Sequence, residues 1–370
     1  MYLVLPRRPL LLLLMLAALS LLLLVTLSAP SYAALPSAAR FARLDIQQGL
    51  SQTTVTALAQ DNTGNIWIGT QNGLNRYDGF AVTVFRPDAK QSHSLSDNFV
   101  TALQVDQHGV IWVGTLNGLN RFDPKLGQFE SIRSTPADDA EEVVLSLHLD
   151  AQQQLWVGTN QGLALLHGTT QHLQWPVHDD AGSAVLHNSN IAALSADSNG
   201  VLWLGTPRGL ARFDPDSAEL SIATDFPFPN ASVMALHHDN AGRLWVGLEH
   251  EGLLLFDPAS GLWTQIDVSS YANGVSSNEI RSIRMTQDGQ VWVGSQYGLS
   301  QLRQIDGQWQ QQASYYHQRH NPASLGNGKV VSLLEDRDGS IWVGTWNGGV
   351  SRLNQANNLF ASITPDLPLM

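Results

Sequence analysis

The apolar residues of this chain fall into short runs separated by polar turn sequences, not along a helical stripe. Between residues 55 and 85 the runs predict four strands, Val55–Gln60, Asn65–Thr70, Gly73–Tyr77 and Ala81–Phe85. Asp61-Asn-Thr-Gly64 supplies the first hairpin turn, where Gly takes the positive φ such turns need, and Gly69-Thr-Gln-Asn-Gly73 supplies the second. A helical repeat of this length would show a 3.6-residue apolar period, and the sequence has none.

The segment returns along the chain. Tryptophans stand at Trp67, Trp112, Trp156, Trp203, Trp245, Trp292 and Trp342, spaced by 45, 44, 47, 42, 47 and 50 residues. Two residues after each comes Gly69, Gly114, Gly158, Gly205, Gly247, Gly294 or Gly344. Six before each comes Asp61, Asp106, Asp150, Asp197, Asp239, Thr286 or Asp336, so one copy breaks the acidic column. In the strand ahead of that column, one position is always β-branched (Val55, Val100, Val144, Ile191, Val233, Ile280, Val330). Another is always small, from Ala57 and Ala102 to Ser332. Small side chains suit the crowded innermost strands of sheets that converge on an axis, and the large apolar positions then fill the wider gaps between sheets. A repeat of this period with four strands predicts an all-β protein, a seven-bladed β-propeller of four-stranded antiparallel blades over residues 34–370.

The first 33 residues read differently. Arg7 and Arg8 precede an apolar run from Leu10 to Leu27, followed by Ser31-Tyr-Ala33 with small residues two apart. This predicts a signal peptide, residues 1–33, cleaved after Ala33; the run is also long enough to serve as an uncleaved anchor. The remaining chain has no second run of spanning length, and there is no cysteine, so disulfides play no part in its stability. A composition of 43% hydrophobic and 14% charged residues, with 31 Gly, fits a turn-rich β protein. The net charge of −12 argues against nucleic acid and anionic membrane as partners.

The runs Asn65-Ile-Trp-Ile-Gly-Thr-Gln-Asn-Gly-Leu-Asn-Arg-Tyr-Asp78 and Val110-Ile-Trp-Val-Gly-Thr-Leu-Asn-Gly-Leu-Asn-Arg-Phe-Asp123 resemble the two-component regulator propeller repeat, as does the lead-in Gln48-Gly-Leu-Ser-Gln-Thr-Thr-Val55. The resemblance covers residues 41 to 364. It implies a periplasmic sensor module of a receptor whose output is a histidine kinase or diguanylate cyclase, responding in some members to oligosaccharides. It implies as partners a small extracytoplasmic ligand, oligosaccharide or peptide, or a membrane-bound transducer, and it admits a homodimer. No cofactor and no metal are expected. One rival is a propeller enzyme of the lyase or quinoprotein type. In streptogramin-type lyases Trp is usually followed by Phe-Thr, where this chain has Val-Gly-Thr. A second rival is a protein-interaction scaffold.

Eight sequences compete for the seven outermost strands, the first being Phe41–Ile46 and the last Leu359–Thr364. The expectation is that Leu359–Thr364 completes the seventh blade. Residues needed seven times over read as scaffold, so specificity is sought where the copies differ. The variable pairs of the second turn give a candidate ligand rim of Gln71, Asn72, Asn117, Arg208, Glu249, His250, Tyr297, Trp346 and Asn347, in which aromatic faces and amides suit a sugar or peptide. The position two before the acidic column varies in polarity, and its Gln104, His148, His237 and Arg284 are candidates to line the central channel. No catalytic constellation stands out. Glu249-His250-Glu251 is too short a turn to supply a metal site alone, and the turns lack the alternating carboxylates of calcium loops.

Overall fold

The computed structural model of the protein describes residues 39–132, 142–166, 172–176, 189–267 and 274–354. The predicted leader and the segment Leu359–Thr364 lie outside the described residues.

The first repeat folds as the pattern predicts, with strands Val55–Gln60, Ile66–Thr70, Gly73–Tyr77 and Val82–Phe85 hydrogen-bonded in that order. Seven such four-stranded antiparallel sheets follow one another. The innermost strand of each touches that of the next, and Val330–Glu335 of the seventh touches Val55–Gln60 of the first, so the ring is closed.

The acidic column explains the first turn. In blade 1, Asp61 Oδ1 accepts the amides of Thr63 (2.9 Å) and Asn65 (3.0 Å), while Oδ2 accepts the indole N–H of Trp67 at 2.8 Å. The same indole bond forms at Asp106, Asp150, Asp239 and Asp336, in the last case at 2.7 Å. One carboxylate thus caps the turn and satisfies a buried indole donor, a charge-assisted bond of about 1.5–3 kcal/mol. In the second turn the hydroxyl three residues after Trp does similar work: Thr70 Oγ1 donates to the Gly73 carbonyl at 2.9 Å and accepts the Asn72 amide at 3.1 Å.

The core consists of layers between blades. Trp67 packs with Ile111, Val113 and Phe122 of blade 2, and Trp342 with Ile66 and Ile68 of blade 1. At each seam the glycine two after Trp leaves a notch for the β-branched residue of the next blade. A Cβ on Gly69 would meet Val100 Cγ1 at 2.6 Å, and one on Gly344 would meet Val55 Cγ1 at 2.7 Å. A register shift just after Val55, Val100, Val144, Val233, Ile280 and Val330 breaks the regular pairing there, the bend a β-bulge gives an inner strand.

Ring closure corrects the sequence expectation. Phe41–Leu44, not Leu359–Thr364, is the outermost strand of blade 7. It pairs antiparallel with Val350–Leu353 in the register Phe41↔Leu353 and Leu44↔Val350. Phe41 and Leu44 are both buried, and Phe41 meets Tyr315 edge to face at 5.5 Å. The strand ends at Leu44, short of the predicted Ile46, because Asp45 caps the 3₁₀ turn Ile46–Gln48 by accepting the Gln47 amide at 2.8 Å.

Candidate functional site

The two ends of the channel have different chemistry. One is bordered by the second turns of the blades and the connections that enter the innermost strands. There the turn's first residue is tied to the connection of its own blade: Glu249 N to Ser232 O, Gln296 N to Glu279 O, and Trp346 N to Lys329 O. The turn glycine is tied to the next blade, as in Gly73 N to Asn98 O and, across the closing seam, Gly349 N to Thr53 O at 2.8 Å.

The rim candidates spread over this face. Gln71 and Asn72 lie in blade 1, Asn117 in blade 2, Arg208 in blade 4, and Glu249 and His250 in blade 5. Tyr297 lies in blade 6, and Trp346 and Asn347 in blade 7. They do not converge as one set. Asn72 and Asn347 have scaffold work: Asn72 donates to Ser51 O at 3.5 Å, and Asn347 Oδ1 accepts from Thr54 Oγ1 at 2.8 Å, linking blade 7 to blade 1. Blades 6 and 7 do form a cluster. Tyr297 is 67% exposed and lies beside Gly328. Lys329 Nζ sits 4.5 Å over the Trp346 ring, and Arg281 is ion-paired with Glu279. Burial, then the Arg281 charge, lowers the Lys329 pKa, with Glu279 opposing. Arg281 Nε and Gln296 Oε1 are buried without a partner. Lys329, Arg281 and Glu279 escaped the sequence reading because the varying turn pairs drew attention away from the connections opposite them. Among the described residues no group of His, Cys, Asp and Glu is arranged to hold a metal.

The other end is bordered by the Asp-capped turns. A cavity of ≈ 440 Å³ opens there among blades 5, 6, 7 and 1, lined by His237, His238, Arg284, Gln287, Glu335 and Arg337 among others. The channel column behaves in an unexpected way. Each of its residues stands opposite the repeat Trp, as in His237↔Trp245 and Arg284↔Trp292, on the face turned to the next blade. Of the four candidates, His237 and Arg284 border the cavity, whereas Gln104 and His148 do not. Burial lowers the His148 pKa against the pull of Asp150.

His237 and His238 point to opposite neighbours. His237 Nε2 accepts the Met285 amide of blade 6 at 3.2 Å. Ser195 Oγ of blade 4 accepts the His238 amide at 3.2 Å and lies 2.8 Å from His238 Nδ1. With one donor and two acceptor lone pairs, the hydroxyl can accept that amide and serve either tautomer of the His238 ring. In the neutral His237 ring the basic Nε2 is thus occupied, leaving an N–H donor at Nδ1. Burial pushes His237 down to about 4, aided by the Arg284 charge, and pushes His238 down to about 4 against the pull of Asp197. Burial also lowers the Arg284 pKa and raises that of Glu335, while the two groups attract each other. Glu335, Gln287 and Arg337 were missed by the sequence reading. The one available signal was Thr286, the break in the acidic column.

The architecture and its seams define a closed seven-bladed β-propeller in which five repeats carry an Asp–Trp bond and each seam seats a Val or Ile against the repeat glycine. The model of the two component regulator propeller family matches residues 49–72, 94–117, 185–208, 274–297 and 324–347, the turn and inner-strand segments of five blades. A 47-residue stretch is 40% identical to histidine kinase P4 of Formosa agariphila, over 13% of this chain and 3% of that protein. Among solved structures, an extracellular domain assigned to a hybrid two component system of B. thetaiotaomicron is similar, with TM-score 0.72 and 24% identity, over 85% of this chain and 42% of that one. A virginiamycin B lyase from Staphylococcus aureus is also similar, with TM-score 0.62 and 13% identity, over 85% of this chain and 98% of the lyase. At these identities the structural likenesses establish the fold alone. The chain spans less than half the length of the two-component domain and a small fraction of the kinase. Among the described residues no helix is long and apolar enough to cross a membrane.

Proposed function

We propose that this chain is the extracytoplasmic sensor propeller of a signalling receptor and that it binds an oligosaccharide on the rim of blades 6 and 7. The observation that carries the reading is the two component regulator propeller repeat, matched in five blades. The rim supports a sugar because Tyr297 offers an open aromatic face beside Gln296, whose buried Oε1 has no partner, and Trp346 is already braced by Lys329. Aromatic faces stack on sugar rings, and amides bond their hydroxyls.

Thermal melts against panels of oligosaccharides and of peptides test this. A sugar should raise the Tm of the parent and not of a Tyr297→Ala, Trp346→Ala double variant. Stabilisation by peptides alone would replace the sugar with a peptide, and flat responses to both panels would leave a partner-docking role.

Two histidines and Glu335 at one mouth are what the enzyme reading expects, which makes a lyase the second reading. Against it stands His237, whose basic nitrogen already accepts the Met285 amide, since a general base needs a free lone pair near the proton it takes.

A further inference from the structure

The innermost strands of blades 4 to 7 meet through one recurring contact. The residue two before the acidic column reaches toward the residue one before it in the next blade. Between blades 4 and 5, Ser195 closes on His238 at 2.8 Å. Between blades 5 and 6, His237 closes on the Met285 amide at 3.2 Å. Between blades 6 and 7 the same positions carry Arg284 and Glu335, and this contact stays open. The two opposite charges attract, yet they form no ion pair within 4.0 Å, and the ≈ 440 Å³ cavity lies where they face it. Arg284 Nε is buried without a partner. Both Glu335 oxygens share a single donor, the Gln287 amide, at 3.0 and 3.3 Å, which leaves lone pairs unused.

Blade 6 differs in a second, independent way. Thr286 stands where the other six repeats have Asp. Arg284 lies near the end of the strand Ile280–Met285, and Thr286 opens the turn that follows it. In five sister repeats the carboxylate at that position takes the indole N–H, whereas Trp292 Nε1, like Trp203 Nε1 of blade 4, has no partner, and Thr286 Oγ1 donates to Asp288 Oδ1 at 2.5 Å. The one repeat that places an arginine two residues before the acidic column is the one without Asp in that column.

We propose that this cavity binds a free α-amino acid, with its carboxylate on the Arg284 guanidinium and its ammonium on Glu335. A simple monocarboxylate would satisfy Arg284 but be repelled by Glu335, and a simple amine would meet the reverse. A zwitterion satisfies both and completes the open contact. His237 contributes an N–H donor at Nδ1, and the volume falls at the small end of the roughly 300–1,000 Å³ typical of ligand sites. This site lies at the opposite end of the strands from the rim and does not depend on the sugar reading.

The test is a thermal-shift and calorimetric screen of the chain at neutral pH with the free L-α-amino acids and glycine, using acetate and ethylamine as single-charge controls. At least one amino acid should bind, more tightly than either control. Arg284→Gln should weaken it about tenfold or more, as expected for loss of a charge-assisted pair. Thr286→Asp should do the same while keeping the parent's circular dichroism, because it installs the residue of the sister repeats. Glu335→Gln should reduce amino-acid affinity to the level of acetate, and the Tyr297→Ala, Trp346→Ala variant should bind as the parent does. The proposal is overturned by a panel with no binder, by acetate binding as tightly as the best amino acid, or by Arg284→Gln binding unchanged. Should Thr286→Asp fail to fold, Arg284→Gln decides alone.

Discussion

The Cβ that Gly69 lacks would sit 2.6 Å from Val100 Cγ1, 3.2 Å from Val100 Cβ and 3.3 Å from Thr56 Oγ1. Val100 is fully buried and β-branched, with little rotamer freedom, so it cannot swing clear. Gly69→Ala is therefore expected to lower stability by about 1–3 kcal/mol, the usual range for overpacking, read as a lower denaturant midpoint. A midpoint equal to the parent's would show that the seam yields. The glycine column was legible as a column, but its cause was not. The partner is a valine of the next blade, and repeat spacing says nothing about which blade face meets which. The same holds for Asp61: sequence assigned it to the turn, whereas its bond to Trp67 depends on a hairpin register that brings residues six apart side by side.

Among elements, the strand Phe41–Leu44 decides the integrity of the ring. Its register against Val350–Leu353 covers the edge of blade 7, and it buries Phe41 and Leu44. A chain beginning at Asp45 would expose that edge, an invitation to pairing with other molecules. It should melt roughly 5 °C or more below the parent and show concentration-dependent association by size-exclusion chromatography. An unchanged Tm would mean that another segment takes the place of Phe41–Leu44. The internal strands were readable to within a residue, as with Ile66–Thr70 against the predicted Asn65–Thr70. Closure was not, because eight similar apolar segments competed for seven places. Their alternation records which face is buried, not which edge they join.

Across the whole molecule, stability should depend on pH through the half-buried histidines of the inner strands. Folded His237 and His238 resist protonation until about pH 4, whereas the unfolded chain takes up those protons near 6.5. The stability is complete above pH 6.5 and falls progressively as pH drops toward 4. The charges acting on His237 are those of Arg284, His238 and Asp239, and those acting on His238 are Asp197, His148 and Asp239. Asp61 acts only at lower pH: burial raises its pKa, but bonds from Thr63, Trp67 and Asn65 prevail and hold it below the usual 3.8. Melts at pH 7.5 and pH 4.5 should therefore differ by several degrees, and the difference should shrink in His237→Gln. An equal shift in parent and variant would place the effect elsewhere. The sequence by itself determined the blade count, the strand order within a blade, the turn chemistry and the scaffold status of Trp, Gly and Asp. Each of these follows from local periodicity and turn preferences, repeated often enough to be read. Only the tertiary structure decided which terminal strand closes the ring, that the variable rim residues spread over one face and do not form one set, and that Arg284 faces Glu335 across an open cavity. Those outcomes depend on which blade faces which, a relation between segments distant in sequence that no repeat records.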